Sequence, residues 1–332
     1  MENTYIKNTN GSFKYSNQLV NSESHYLLQH AHHPINWHFW CEESLELAKR
    51  ENKIIFVSIG YSSCYWCHIM EREVFNDEVI AELLNKNFIN IKIDREERPD
   101  LDDFFRIARR YISNEEGWPN NLFLTPELKP FFAFGTLTND HRLGKPSFSE
   151  IVQKTIYSWE HNKLAVQRTA NQTMSKIDNY LVIKKGSKNH NLKLDEKPVK
   201  SLAYQLISLT DFKNGGFNSA PKFPHENYLL FLLQTNDNYS INSAVASLEK
   251  MACSGIFDHI NGGFHRYCLD DAWHFPHFEK MLYNQALLVK CYIEAYRIIP
   301  NKFFAYIIDS TLKFVEENFL NSEGGFCSSL DP

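Results

Sequence analysis

Residues 54–59, Ile-Ile-Phe-Val-Ser-Ile, form an apolar run rich in β-branched residues between Lys53 and Gly60. That pattern predicts a strand buried on both faces, as in a parallel sheet. Beyond it HIMEREVF reads as helix. NDEVIAELLNKNF repeats the helical spacing, with Asn76 or Asp77 as its cap and Val79, Ile80, Leu83 and Leu84 on one face. Ile89, Ile91 and Ile93 then alternate with polar residues, which predicts a second strand. DREERPDLDDFFRIARRYI opens acidic and continues helical, Gly117-Trp-Pro119 punctuates, and NLFLT and PFFAF flank a turn at Pro126 as two short strands. A further long helical pattern begins near Ser147. Strand-helix alternation of this kind predicts an α/β domain with a partly parallel sheet and helices on both faces.

KKGSKNHNLKLDEK, residues 184–197, is polar and has neither periodicity, so it reads as a linker between a first domain (1–183) and a second (198–332). The second domain carries only helical patterns. Gly-Gly-Phe recurs between them at 215–217, 262–264 and 324–326. This predicts helical hairpins that bury their apolar faces against neighbouring repeats, with glycines supplying positive φ at the junctions.

The chain has 332 residues, 43% hydrophobic and 23% charged, enough for two ordinary cores. A net charge of -5 without a basic stripe argues against nucleic acid as a partner. No signal-peptide core and no long apolar window is visible, so no membrane is expected and the expected location is cytoplasmic. Seven cysteines in so long a chain do not form the dense, even framework of a small secreted domain.

Cys64 and Cys67 stand apart as the one C-x-x-C, inside GYSSCYWCH (60–68). A redox reading places Cys64 at a helix N-terminus as the exposed, thiolate nucleophile and Cys67, one turn on, as the resolving thiol. The element order is that of thioredoxin, whose cis-proline before the fourth strand corresponds to Pro119. A haem reading uses His68 as axial ligand, but needs export and a small helical domain. A zinc reading needs two more ligands from His25, His30, His32, His33 and His38. In a fourth reading both thiols are merely buried, covered by Tyr65 and Trp66. Where thioredoxins carry a proton-moving Asp, six residues before the first cysteine, this chain has Ser58. Neither a cofactor nor a metal is expected.

GGFHRYCLDDAWHFPHFEKM gathers His265, Arg266, Asp270, Asp271, His274, His277, Glu279 and Lys280. Histidines and carboxylates so close together suit acid-base work, with His277 and Glu279 leading. They suit equally a loop whose polar groups hold a hairpin junction. DREERPD reads as a solvated helix start, unless Arg95 or Arg98 lies beside the dithiol and lowers the Cys64 pKa. Lys222 in APKFP reads as a ligand contact or as surface.

YLLQHAHHPINW (26–37), SIGYSSCYWCHIME (58–71), DREERPD (94–100), GWPNNLFLTPELKPFF (117–132), GGFNSAPKFP (215–224) and the segment from 262 to 288 together resemble the spermatogenesis-associated protein 20-like family. Bacterial members of that family are described as DsbH-like. The resemblance implies a thioredoxin-like domain followed by an all-α domain like the (α/α) barrel of six-hairpin glycosidases and epimerases, in a family linked to carbohydrate metabolism. The chain departs from the family at Glu116-Gly-Trp-Pro-Asn120 and at Gly135-Thr-Leu-Thr-Asn139, and it stops at Ser328-Ser-Leu-Asp-Pro332, where the family continues, so a partial, truncated barrel is expected. The expected function is thiol-disulfide oxidoreduction at Cys64 and Cys67, with Pro119 opposite, toward a disulfide substrate or reductant. The alternatives are a carbohydrate-active or saccharide-binding protein with a regulatory thioredoxin-like part, and a non-catalytic scaffold.

Overall fold

A computed structural model describes residues 5–140, 144–184 and 196–331. The chain divides into two compact units, Met1–Lys188 and Asn189–Pro332. Residues 185–195 of the expected linker lie outside the described residues.

The first unit runs α1 (His25–Leu28), β1 (Trp37–His38), α2 (Glu42–Glu51), β2 (Ile54–Gly60), α3 (Tyr65–Met70), a π turn (Glu71–Phe75), α4 (Glu78–Asn87), β3 (Phe88–Asp94), α5 (Pro99–Ser113), β4 (Asn120–Leu124), β5 (Pro130–Phe134), α6 (Phe148–His161) and α7 (Lys163–Lys184). The strands form one sheet in the order β1-β3-β2-β4-β5. β2 and β3 are parallel, whereas β4 and β5 add antiparallel. This is the thioredoxin-like arrangement expected, with β1 as an extra edge.

Alternation along each strand sorts the two faces. Ile55, Val57, Ile59, Ile91, Ile93, Leu122 and Leu124 turn one way, onto Ala48 of α2, Phe105 and Ala108 of α5 and Ile177 of α7. The opposite face carries Phe56 and Phe123, packed with Trp37, Phe75 and Phe148. On that same face Lys92, Ser58 and Asn121 are cross-strand neighbours, a polar row in a sheet with no wet side. The alternation Ile89, Ile91, Ile93 therefore marks a strand buried on both faces rather than a half-exposed one.

Asp77 caps α4 by accepting from the N–H groups of Val79 and Ile80. Of the apolar face expected there, Ile80 and Leu84 are buried but Val79 is 77% exposed, because it sits on the solvent side of the first turn. The single helix expected after the cysteines is interrupted by the π turn, and the pattern from Ser147 breaks at Asn162 into two helices.

The second unit is mainly helical: α8 (Lys197–Ser208), α9 (Glu226–Leu233), α10 (Asn238–Ala252), α11 (Leu282–Ile298) and α12 (Lys302–Asn318). Two short ladders are added to the helices expected: β6 (Tyr267–Cys268) with β7 (Pro276–His277), and β8 (Lys280–Met281) with β9 (Ser329–Leu330). FEKM is therefore extended, and the helix expected from Phe278 starts only at Leu282.

The Gly-Gly-Phe repeats share one construction. Asp211 accepts from the N–H groups of Lys213 and Asn214, and Asp258 from those of Ile260 and Asn261. Lys222 Nζ donates to Asp211 at 2.6 Å and Lys280 Nζ to Asp258 at 2.7 Å. Asn321 takes the acidic position in the third copy and accepts from Glu323 and Gly325. Phe217 and Phe264 are fully buried, while Phe326 is exposed. Among the described residues, no helix is long and apolar enough to cross a membrane.

Gly263 has φ +75°, and a Cβ there would lie 2.5 Å from the Phe314 ring; Gly324 has φ +85° with nothing within 4 Å. Gly263→Ala is expected to cost about 2 kcal/mol or more of unfolding free energy and Gly324→Ala about 1 kcal/mol, as measured by urea denaturation.

Candidate functional site

The turn after β2 delivers Cys64 to the N-cap of α3, and the sulfurs of Cys64 and Cys67 are joined in a disulfide. Cys64 Sγ also accepts the backbone N–H of Cys67 at 3.3 Å, which folds it back over the first helical turn. Both residues are only 2% exposed, so the surface nucleophile expected at Cys64 is instead covered in the oxidised form. Trp66, between them, is the exposed side chain at 38%. With the sulfurs bonded to each other they offer nothing to zinc, and His68 is buried and hydrogen-bonded to Glu71 at 3.4 Å rather than presented to a haem.

The Trp118–Pro119 bond is cis and leads directly into β4. Arg95 stacks its guanidinium 3.9 Å from the Trp118 ring centroid and 5.2 Å from that of Tyr61. Arg98 instead pairs with exposed Asp100. Trp66, Trp118, Arg109, Glu115 and Lys145 line a cleft of ≈ 520 Å³. Asn120, where the chain departs from the pattern of the family it resembles, is fully buried on β4.

Beneath the cysteines the polar row widens into a buried cluster that periodicity alone did not single out. Lys92 Nζ donates to Ser58 Oγ at 3.0 Å and lies 4.5–5.3 Å from the ring centroids of Phe75, Trp37 and Tyr26. Burial pushes its ammonium down to about 7, partly offset by Glu71. Burial alone would raise the Glu71 carboxyl; His33 at 3.4 Å and His68 outweigh that and hold it well below the usual carboxylate range. Burial, with the Lys92 charge, keeps His30 and His33 neutral, and their Nδ1 atoms share a hydrogen bond of 3.2 Å. One ligand atom each of His30, His33 and Glu71 lies within 4.8 Å of the others, near enough for a metal ion. Within the group His30 Nδ1 meets His33 Nδ1 and His33 Nε2 lies 3.4 Å from Glu71, while the buried His30 Nε2 has no hydrogen-bond partner among the described residues. The legible signal was Lys92 itself: a lysine between two isoleucines on a central strand has no solvent to reach.

Of the histidines considered for zinc, His38 is buried, His32 stacks on Phe13, and His25 is exposed. In the second unit Arg266 donates to Glu279 at 2.7 Å, and His277 Nε2 lies 3.7 Å from the same carboxylate oxygen. His265 contacts the carbonyl of Phe278, His274 is exposed beside Asp270, and Lys280 is committed to Asp258. The structure thus gathers Arg266, His277 and Glu279 and sends the other three to structural partners. Lys222, open between ligand contact and surface, is a buried partner of Asp211.

The strand order, the cis-proline and the disulfide at the head of α3 define a thioredoxin-like domain. The family described as "Protein of unknown function, DUF255", Thioredox_DsbH, matches residues 16–178. Spermatogenesis-associated protein 20 of Rattus norvegicus is 38% identical over 327 residues, which cover 96% of this chain and 41% of that protein. The chain is similar to the spermatogenesis-associated protein 20 homologues at 36–38% identity over nearly its whole length, and it spans about two fifths of the length of the curated relatives it matches. A sugar epimerase from a ruminal bacterium is similar at 19% identity and a TM-score of 0.35, over 40% of each chain. A DsbH oxidoreductase is similar at 18% identity and a TM-score of 0.30, over 38% of this chain and 85% of the other.

Two outcomes follow from these charges. Folded Lys92 holds its proton to about pH 7 and unfolded Lys92 to about 10.5, so between those values the unfolded chain carries more protons and stability rises with pH. Urea denaturation is expected to show wild type gaining about 2 kcal/mol relative to Lys92→Met between pH 7 and 9. Glu279→Ala removes the carboxylate that pairs with the buried Arg266 guanidinium and is expected to cost the second unit about 3 kcal/mol or more by the same measurement.

Proposed function

We propose that the first unit is a thiol-disulfide exchange domain acting through Cys64 and Cys67. The observation that carries this reading is the pair of directly bonded sulfurs at the start of α3, at the carboxyl end of central strand β2. In the reduced form the Cys64 thiolate attacks a substrate disulfide, forms a mixed disulfide and releases one substrate thiolate. The Cys67 thiolate then attacks Cys64 Sγ, forms the bond seen here and releases the second. A backbone N–H aimed at Cys64 Sγ supports its role as the sulfur that carries negative charge. Cis-Pro119 and the cleft beside Trp66 and Trp118 suit an approaching protein segment that contains a disulfide. The other five cysteines form no disulfides, which fits a reducing, cytoplasmic setting where the dithiol would serve as reductant.

A second reading, of a saccharide ligand in the helical unit, is favoured by one feature. Phe223, Tyr267 and His277 stack at 4.8 Å spacings, half-buried, beside Glu279. Stacked rings next to a carboxylate suit the apolar face and hydroxyls of a sugar. Flat calorimetric titrations across a panel of hexoses and N-acylhexosamines would remove it.

For the exchange reading, Cys67→Ala is expected to accumulate mixed disulfides on Cys64, visible as reductant-sensitive bands on non-reducing gels and identified by mass spectrometry. Cys64→Ala is expected to accumulate none. Equal trapping by both variants, or by neither, would reject the assignment.

A further inference from the structure

For Cys67 to resolve a mixed disulfide it must be a thiolate, and burial with no donor nearby holds a cysteine as its neutral thiol. Ser58, on the sheet below, already accepts from Lys92 and brings no carboxylate to the task. Another group is placed to act. A Cβ added to Gly60 would lie 2.3 Å from Tyr26 Oη and 2.7 Å from Cys67 Sγ, so those two atoms are at most about 5 Å apart, the sum of the two distances. The glycine is a window through which a tyrosine hydroxyl and the resolving sulfur face each other. Tyr26 is 1% exposed, and its hydroxyl has no hydrogen-bond partner among the described residues.

We propose that the Tyr26 hydroxyl is the hydrogen-bond donor that stabilises the Cys67 thiolate once the disulfide is open. This inference rests on the exchange reading above. A disulfide sulfur is a poor acceptor and a thiolate a strong one, so the donor left unsatisfied in the oxidised form gains its partner only on reduction. No bond is made or broken by Tyr26: it lends its O–H to the sulfur while Cys67 attacks Cys64 Sγ, and the departing substrate thiolate takes its proton from solvent. Around Tyr26 stand Lys92 and Asp94 from β3, Glu71 from the π turn, Tyr61 from the turn after β2, and His30 at ring contact. Burial, reinforced by the charges of Asp94 and Glu71, pushes the phenol well above its ordinary value. It therefore stays a donor and does not become a competing anion. Lys92 lies 5.3 Å from the Tyr26 ring centroid in the same pocket.

Tyr26→Phe removes only an oxygen that has no partner in the oxidised form, so oxidised stability and the circular dichroism spectrum are expected to stay as in wild type. The test equilibrates the full chain with glutathione buffers at pH 8 and quantifies the Cys64–Cys67 peptide by mass spectrometry. With Tyr26→Phe the dithiol is expected to be about tenfold less favoured, a midpoint about 30 mV more negative. In the Cys67→Ser background, the same change is expected to leave the rate of Cys64 alkylation by iodoacetamide untouched across pH. An unchanged midpoint, or an equal fall in Cys64 reactivity, overturns the proposal. The measurement needs no physiological partner, so a failure to trap one in Cys67→Ala cells leaves this result standing by itself. A pair that glutathione cannot reduce in wild type removes both readings.

Discussion

The first unit is organised around one buried cation. Lys92 lies on a central strand, 1% exposed, where an ammonium loses its hydration and must be compensated from within. Ser58 supplies an oxygen from the neighbouring strand, three aromatic rings supply their faces, and Glu71 supplies opposite charge. Glu71 reaches this pocket from the π turn that interrupts the helix after the cysteines. A π turn widens the helix by one residue and re-aims the side chains on it, and such insertions concentrate at functional sites. His33, which follows α1, and His68 of α3 then satisfy the carboxylate in turn. Strand, helix irregularity and N-terminal segment are thus coupled through a single charge, directly below the disulfide.

The second unit solves a smaller version of the same problem repeatedly. Each of its first two Gly-Gly-Phe junctions turns sharply with an aspartate accepting two backbone N–H groups, and a lysine from a later strand segment neutralises it. The lysines are buried, so the pairs are held by geometry as well as charge. This reuse explains why a polar-rich stretch such as residues 262–281 does not collapse into one site. Lys280 belongs to the junction, and Arg266, Glu279 and His277 form a separate group facing a row of stacked rings.

Much of this was legible in the sequence, and the exceptions have physical reasons. The strands, the proline before β4 and the hairpin repeats announce themselves through periodicity, a fixed φ and Gly-Gly. Two things did not. Whether a polar residue on an alternating strand faces water depends on what covers the sheet, so the burial of Asn90 and Lys92 needed the helices of both faces to be in place. The SHYLLQHAHHPINW segment has neither period, and its histidines and Tyr26 acquire their roles only by packing against β3 and the π turn. Glu71, one polar residue within a helical pattern, is pointed inward by a backbone irregularity that composition does not encode.

Covering both sulfurs would shape what the proposed exchange domain can do. A thiol open to solvent reacts with any small disulfide, whereas Cys64 beneath its own turn is reached only along directions its neighbours leave open. Those neighbours are fixed: Arg95 clamps Trp118 and Tyr61 in one stack, and Arg109 donates to the carbonyls of Gly117 and Pro119 on either side of Trp118. Trp66 is the large, exposed side chain at the mouth of the motif. A partner that packs on Trp66 and enters the cleft toward Trp118 would gain apolar contact while positioning its sulfur, which couples binding to reaction. Selectivity would then come from the aromatic wall and reactivity from the buried polar cluster beneath, two tasks assigned to opposite sides of the same pair of sulfurs.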